Sequence, residues 1–307
     1  MPSFVSLVVF FAFKTILTQI LTCKVLIIYL SSAYTFENVL NQLILNLPDK
    51  TDWMIEICAL ASGSNGNCYY IGNKEDAILI DAGINCKQIL IRMHTKGLDH
   101  HKIRAIFITH EHNDHVCGAR VLAKKLDIPV YMTKGTYQSL YFTNRPDAIR
   151  FVDPSQPVML IPFIIYPVLK NHDATEPTSF RIELQGINVG VFTDIGLPCN
   201  NVTSHLKYCH ALFLETNYDE MMLWEGSYPY QLKKRVASDV GHLSNLQAVN
   251  LLSEHAGPEL KWVLLSHLSG ENNTPQVAYD ALKHFEDRFK IVLTSRKEPG
   301  EVIEIEI

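Results

Sequence analysis

From residue 54 onward, short apolar runs alternate with polar turns, and the apolar runs repeatedly end on an acid or a histidine. "MIEICALA" and "CYYIG" predict strands on either side of the turn cluster "SGSNGN", whose Gly, Ser and Asn residues favour tight backbone reversals. "AILIDAG" predicts a buried strand ending in Asp81. "NCKQILIRMHTKG" places Ile89, Leu90 and Met93 at helical spacing and closes on Gly97. "IRAIFITH" and "IPVYMT" predict strands flanking the helix "GARVLAKKLD". "FIIYPVLKNH" predicts a strand that delivers His172, and "TSFRIEL" and "INVGVFTD" a hairpin over Gln185 and Gly186 that ends in Asp194. "ALFLETN" and "KWVLLSH" read as strands, the latter ending in His267. Between them "SNLQAVNLLSEHAG" reads as a helix with Ser244 or Asn245 near its N-cap and Gly257 at its end. "FKIVLT" and "EVIEIEI" close the chain. Intermixed strands and helices with polar residues at strand ends predict an α/β (α+β) fold, two sheets covered by helices with one site along a common edge.

The first 53 residues break this pattern. "FVSLVVFFAF" is apolar, but Lys14 and Lys24 interrupt the continuation into "VLIIYLSSAY". A secretory signal would begin with positive charge, and a spanning helix needs about 20 apolar residues with few charges. We therefore read residues 1–53 as a non-domain leader and residues 54–307 as the functional domain, with Met54 as the expected start. A membrane anchor is the alternative, and no stable membrane association is expected.

Composition narrows the picture. Of 307 residues, 47% are hydrophobic and 19% charged, ordinary globular usage with ample length for a large core. The net charge of −5 excludes a global basic field for nucleic acid, though not a local basic strip. The seven cysteines, Cys23, Cys58, Cys68, Cys86, Cys117, Cys199 and Cys209, form no C-x-x-C pair. They read as reduced thiols of a cytoplasmic protein.

The densest chemistry is "ITHEHNDHVCG". His110 ends a predicted strand and His112 follows two residues on, so both imidazoles would face the same way in extended chain and reach one metal ion. Asp114 and His115, in the turn into the next helix, can point to a second position nearby. A solvated loop has no reason to gather three histidines. Imidazole and carboxylate without thiolate suit zinc, manganese or iron rather than a structural zinc knot. Open coordination positions would hold water, and two divalent metal ions would make it a hydroxide nucleophile. His172, Asp194 and His267, each after an apolar strand, are further ligand candidates. Asp81 would accept a hydrogen bond from a ligand histidine and fix its tautomer. His94, His100, His101, His205, His210, His255 and His284 lack this context and read as surface or helix residues.

The order "LIDAG", "THEHNDH", "NHD", "FTDIG" and "LSH" resembles the metallo-β-lactamase-fold hydrolases over nearly all of the chain after Met54. The resemblance implies a four-layer αββα sandwich with a two-metal site at its edge. It implies that His110, His112 and His172 hold one metal, that Asp114, His115 and His267 hold the other, and that Asp194 bridges them. "LASGSNGNCYYI", "ETNYDEMMLWEGSYPYQLKKRV" and "GHLSNLQAVNLL" resemble the YycJ/WalJ-like subgroup, regarded as DNA exonucleases. "GHLSN" with "LSHLS" also resembles the late motif of tRNase Z, which would give His242 a role near the scissile phosphate, as general acid or phosphate ligand; a helix-cap histidine is the plainer reading. His172 and Asp194 lie too close in sequence for a tRNA-gripping arm, and Asp194 and His267 too close for a β-CASP domain. The implied function is a metal-dependent phosphodiesterase acting on DNA ends, with Asp114 and His242 catalytic. Lys233, Lys234 and Arg235 would meet the phosphate backbone, unless they form an ordinary solvated helix face. Asn67 and its turn would offer N–H groups to a phosphate, or simply close a hairpin. Tyr228 and Tyr230 would stack on bases or pack. A small-molecule hydrolase of the same fold, thioesterase or lactonase, is the alternative. A regulatory protein with a vestigial site is a further rival, which the complete ligand set opposes.

Overall fold

The computed structural model describes residues 54–306, which fall within one compact unit. The readings made for residues 1–53 lie outside the described residues.

The first half of this unit builds one sheet. Strands β1 (Ile55–Ala61), β2 (Cys68–Gly72) and β3 (Ala77–Ile80) run antiparallel. β4 (Ile103–Phe107), β5 (Val130–Thr133) and β6 (Ile149–Val152) continue from β3 in parallel. The second half builds another. β7 (Val158–Leu160), β8 (Phe163–Leu169), β9 (Thr178–Leu184) and β10 (Ile187–Phe192) are antiparallel, and β11 (Ala211–Glu215), β12 (Trp262–Ser266) and β13 (Lys290–Leu293) continue in parallel. The last strand, β14 (Ile303–Ile305), returns to the first sheet and pairs antiparallel with β1.

Period-two alternation sorts each strand between two cores. Ile78 and Ile80 of β3 and Phe213 of β11 face the space between the sheets, where Ile57, Tyr69, Phe107, Phe180 and Val191 join them. Leu79 faces outward onto helix α1 (Cys86–Thr95) through Ile89 and Met93, and onto α3 (Ala119–Leu126) through Leu122; the short α2 (Asn113–Val116) lies between these helices in sequence. Leu212 and Leu214 face the opposite way, toward Leu206 of α5 (Asn200–Leu206), Leu251 of α8 (Asn245–His255) and Leu282 of α9 (Pro275–Leu282). The layers are therefore helix, sheet, sheet, helix, as expected. Short α4 (Lys134–Ser139) follows β5, and α6 (Glu220–Glu225) and α7 (Tyr230–Val236) lie between β11 and α8. No helix among the described residues is long and apolar enough to cross a membrane.

Several details differ from the sequence reading. β4 stops at Phe107 and β8 at Leu169, so His110 and His172 stand in loops beyond the strands. Ser244 is the N-cap of α8 and forms a reciprocal capping box with Gln247. Gly257 follows the C-cap, Ala256, at the end of the helix. The hairpin turn over Gln185 and Gly186 has positive φ at both residues (51° and 86°), as the tightest hairpins require.

Candidate metal centre

The functional side chains gather beyond the C-terminal ends of parallel strands. Asp81 follows β3, Thr109 and His110 follow β4, Asp194 follows β10, Glu215 ends β11 and His267 follows β12. Three of these take a left-handed backbone: Asp81 (φ 62°), Asp194 (φ 53°) and His267 (φ 54°). That conformation costs a non-glycine residue about 1–2 kcal/mol, and such strain collects at functional sites.

On one side, donor atoms of His110, His112 and His172 lie within 4.8 Å of one another. His112 caps α2 with extended backbone, and its Nδ1 lies 3.0 Å from His110 Nε2. The expected proximity holds, but a loop and a helix start produce it, not an extended strand. His172 Nδ1 donates to the Gly241 carbonyl over 3.0 Å, while its buried Nε2 has no hydrogen-bond partner.

On the other side, His115 Nδ1 lies 2.7 Å from Asp81 Oδ2. Asp81 also accepts from the Thr109 N–H and hydroxyl, which holds the carboxylate against this ring. His115 Nε2 is 3.4 Å from Asp114 Oδ2 and 3.3 Å from Asp194 Oδ2. Asp194 lies between the two sides: Oδ2 is 2.9 Å from His267 Nδ1, and Oδ1 is 3.9 Å from His172 Nε2. His242 joins Asp194 and His267 in a third cluster of potential ligands.

The electrostatics suit a cation. Burial, with His115 and Lys170 nearby, holds His110 well below its usual pKa. Burial likewise pushes His172 down to about 2. Both rings are therefore neutral and keep a lone pair. Burial opposes the charge of Asp194, but His267 and His115 outweigh it and hold the carboxyl well below its ordinary range. Neutral imidazoles, an ionised carboxylate and an orphaned, buried His172 Nε2 fit a divalent metal.

Sequence reasoning missed Glu215. It is fully buried, accepts the Ile195 N–H at 2.6 Å through Oε2 and lies 2.8 Å from His242 Nδ1 through Oε1. The signal was available, since an acid ending "ALFLE" repeats the pattern of Asp81 and Asp194. Lys170 was also missed: it is buried and donates to the Thr193 carbonyl over 2.7 Å, steadying the turn that carries Asp194.

The residues expected to meet substrate are placed as follows. Asn67 is buried, with its Oδ1 accepting from Gly63 N–H and Tyr69 OH and its Nδ2 donating to Asp114. Gly66 and Asn67 N–H groups also bond internally. This turn braces Asp114 rather than presenting itself to a phosphate. Lys233 donates to the Trp224 carbonyl and Arg235 pairs with Asp173; Lys234 is exposed. Tyr228 packs against the small α6–α7 core, whereas Tyr230 is exposed. His205 lies on α5, as one of the two readings had it, and accepts from Arg181; His210 accepts from the Asn188 N–H. The six described cysteines are free.

Fold and site together define a metal-dependent hydrolase, and the chain belongs to the metallo-β-lactamase superfamily, whose family model matches residues 61–197. Within it, the relatives place the chain in the YycJ/WalJ-like subgroup. It is 33% identical over 227 residues to exodeoxyribonuclease YycJ of Bacillus anthracis, covering 73% of this chain and 86% of the relative. It is 31% identical over 230 residues to exodeoxyribonuclease WalJ of Streptococcus pneumoniae, covering 72% and 84%. The metallo-β-lactamase-fold protein YhfI of Bacillus subtilis superposes with a TM-score of 0.62 at 17% identity, covering 82% of this chain and all of that one.

Proposed function

We propose that the protein is a phosphodiesterase that trims DNA ends, acting in the cytoplasm with two divalent metals, zinc or manganese before iron. The names of its relatives support DNA as substrate, and the free thiols are in keeping with the compartment. In this reading His110, His112 and His172 would hold one metal and Asp114, His115 and His267 the other, with Asp194 as a further ligand. Metals there would supply Lewis acidity toward phosphate and activation of water. Asp114 and Asp194 accept the hydrogen bonds that orient the attacking water.

The observation that carries the reading is the Glu215–His242 pair beside Asp194. Glu215 holds His242 Nδ1 and so leaves Nε2 to give a proton to the departing oxygen, a step that a poor alkoxide leaving group needs. A thioesterase or lactonase would use the same ligands, but the relatives do not favour it. A turnover panel on metal-reconstituted protein tests this, comparing DNA ends, RNA, a simple phosphodiester, a thioester and a β-lactam. Preferred release of nucleotides from DNA ends is expected. Turnover of the thioester or lactam with none of the phosphodiesters would refute it.

A further inference from the structure

Between β11 and α8 the chain leaves the sandwich to form α6 and α7. This excursion departs directly after Glu215 and returns with His242 against Glu215, so both of its ends stand at the proposed proton-transfer pair. It has its own small core of Tyr218, Leu223 and Val236. Lys233 Nζ donates to the Trp224 carbonyl over 2.7 Å and locks α7 to α6. Arg235 Nε donates to Asp173 Oδ2 over 2.6 Å, one residue from His172. The unit is thus fixed relative to the metal centre.

Despite that rigidity it leaves large apolar groups in water. Trp224 is 46% exposed and Tyr230 63%. Single exposed aromatics are ordinary. These two are neighbours, with ring centroids 6.4 Å apart and planes tilted by 47°, and Lys234 Nζ stands 5.7 Å from the Tyr230 centroid. Tilted rings at this distance do not cover each other's faces. Tyr230 precedes Arg235 by five residues on α7, a helical rise of about 7.5 Å.

On the reading of the site as a DNA-end phosphodiesterase, we infer that α6 and α7 form a base-stacking platform. Trp224 and Tyr230 receive unstacked bases of a single-stranded DNA end, and Lys234 meets an adjoining phosphate. Exposed Glu225 beside Trp224 weakens the local positive charge, so stacking contributes more than ion pairing. Stacking is indifferent to base identity, because every base has a π face. That suits an enzyme that consumes a strand nucleotide by nucleotide.

The test is binding of metal-loaded protein to a fluorescein-labelled, phosphorothioate-linked single-stranded oligonucleotide and to the same oligonucleotide with abasic terminal positions. Anisotropy gives both affinities, and digestion of a normal DNA end is followed in parallel. Wild type should bind the native strand about five- to a hundredfold more tightly than the abasic one. Trp224→Ala and Tyr230→Ala should erase most of that preference, while Trp224→Phe keeps it, with metal content and Tm as in wild type. Intact preference in both alanine variants, or equal wild-type binding of both strands alongside normal DNA digestion, would overturn the platform and leave the nuclease reading standing. Absence of both binding and digestion of DNA by wild type would remove that reading, and the platform with it.

Discussion

His242 lies at the junction of two roles. Its Nδ1 is held by Glu215 at 2.8 Å and stands 3.7 Å from Asp194 Oδ1. Burial disfavours its charge, but Glu215 and Asp194 outweigh that and raise its pKa, as befits a proton donor. Its ring also belongs to a cluster that could ligate a metal. His242→Ala separates the two. As a proton donor, its loss should lower turnover on DNA by about a hundredfold or more with metal content unchanged. The loss should be smaller on a nitrophenyl phosphodiester, whose leaving group needs little protonation. Metal analysis, Tm and both rates on one preparation decide the matter, and loss of metal would make His242 a ligand. Residues of this kind were legible in the sequence when they ended an apolar run or stood in a dense motif. Lys170 was not, because a lone lysine after a strand reads as solvated, and only the fold shows its ammonium buried against Thr193.

At the scale of elements, the loops carrying the ligands pack backbone to backbone, and two motif glycines make this possible. A Cβ on Gly83 of "LIDAG" would lie 1.6 Å from the Asp114 carbonyl oxygen, and one on Gly196 of "FTDIG" 2.0 Å from that of Asp239. Neither contact has side-chain slack, so the loop must move. Gly83→Ala should therefore displace the start of α2, at a cost of about 1–3 kcal/mol. It should lower metal occupancy, most on the side of Asp114 and His115, which α2 carries, with His112 at its cap also disturbed. Metal counts falling from two per chain toward one would bear this out; full occupancy would show that the loop yields. Periodicity exposed the long helices and most strands. The short α2, α4, α5, α6 and α7 were not predicted as helices, because four to seven residues carry no readable period, and α9 was missed as well. The strand ends were overrun for a related reason: "ITH" and "KNH" follow directly on the apolar runs in sequence but leave the sheet in space.

Across the whole molecule, the centre unites the two sheets, with His110 and His115 from one half and His172, Asp194 and His267 from the other. Metal that binds only this folded arrangement stabilises it by linkage, about 4 kcal/mol at a thousandfold excess over Kd. For a unit of this size that corresponds to a Tm shift on the order of 10 °C. A chain beginning at Met54, which contains every described strand and ligand, should fold, bind metal and lose about that much Tm on chelation. An aggregated product would show that residues 1–53 are needed, and an unchanged Tm that the metals do not couple the halves. The two-sheet architecture was legible from strand count and polar strand ends. The pairing of β14 with β1 was not, since nothing local to either strand names a partner some 250 residues away.

That last pairing bears on how the protein is made. Ile305 lies opposite Ile55, so the first of the described strands waits for the last. Until β14 is made, the β1 edge that it covers lacks that partner; an unpaired edge invites pairing with other chains, and closing so distant a contact is slow. His267 also emerges late, long after His110. A nascent chain therefore lacks part of its candidate ligand set until His267 has been made, and the pocket around Asp194 stays incomplete until then.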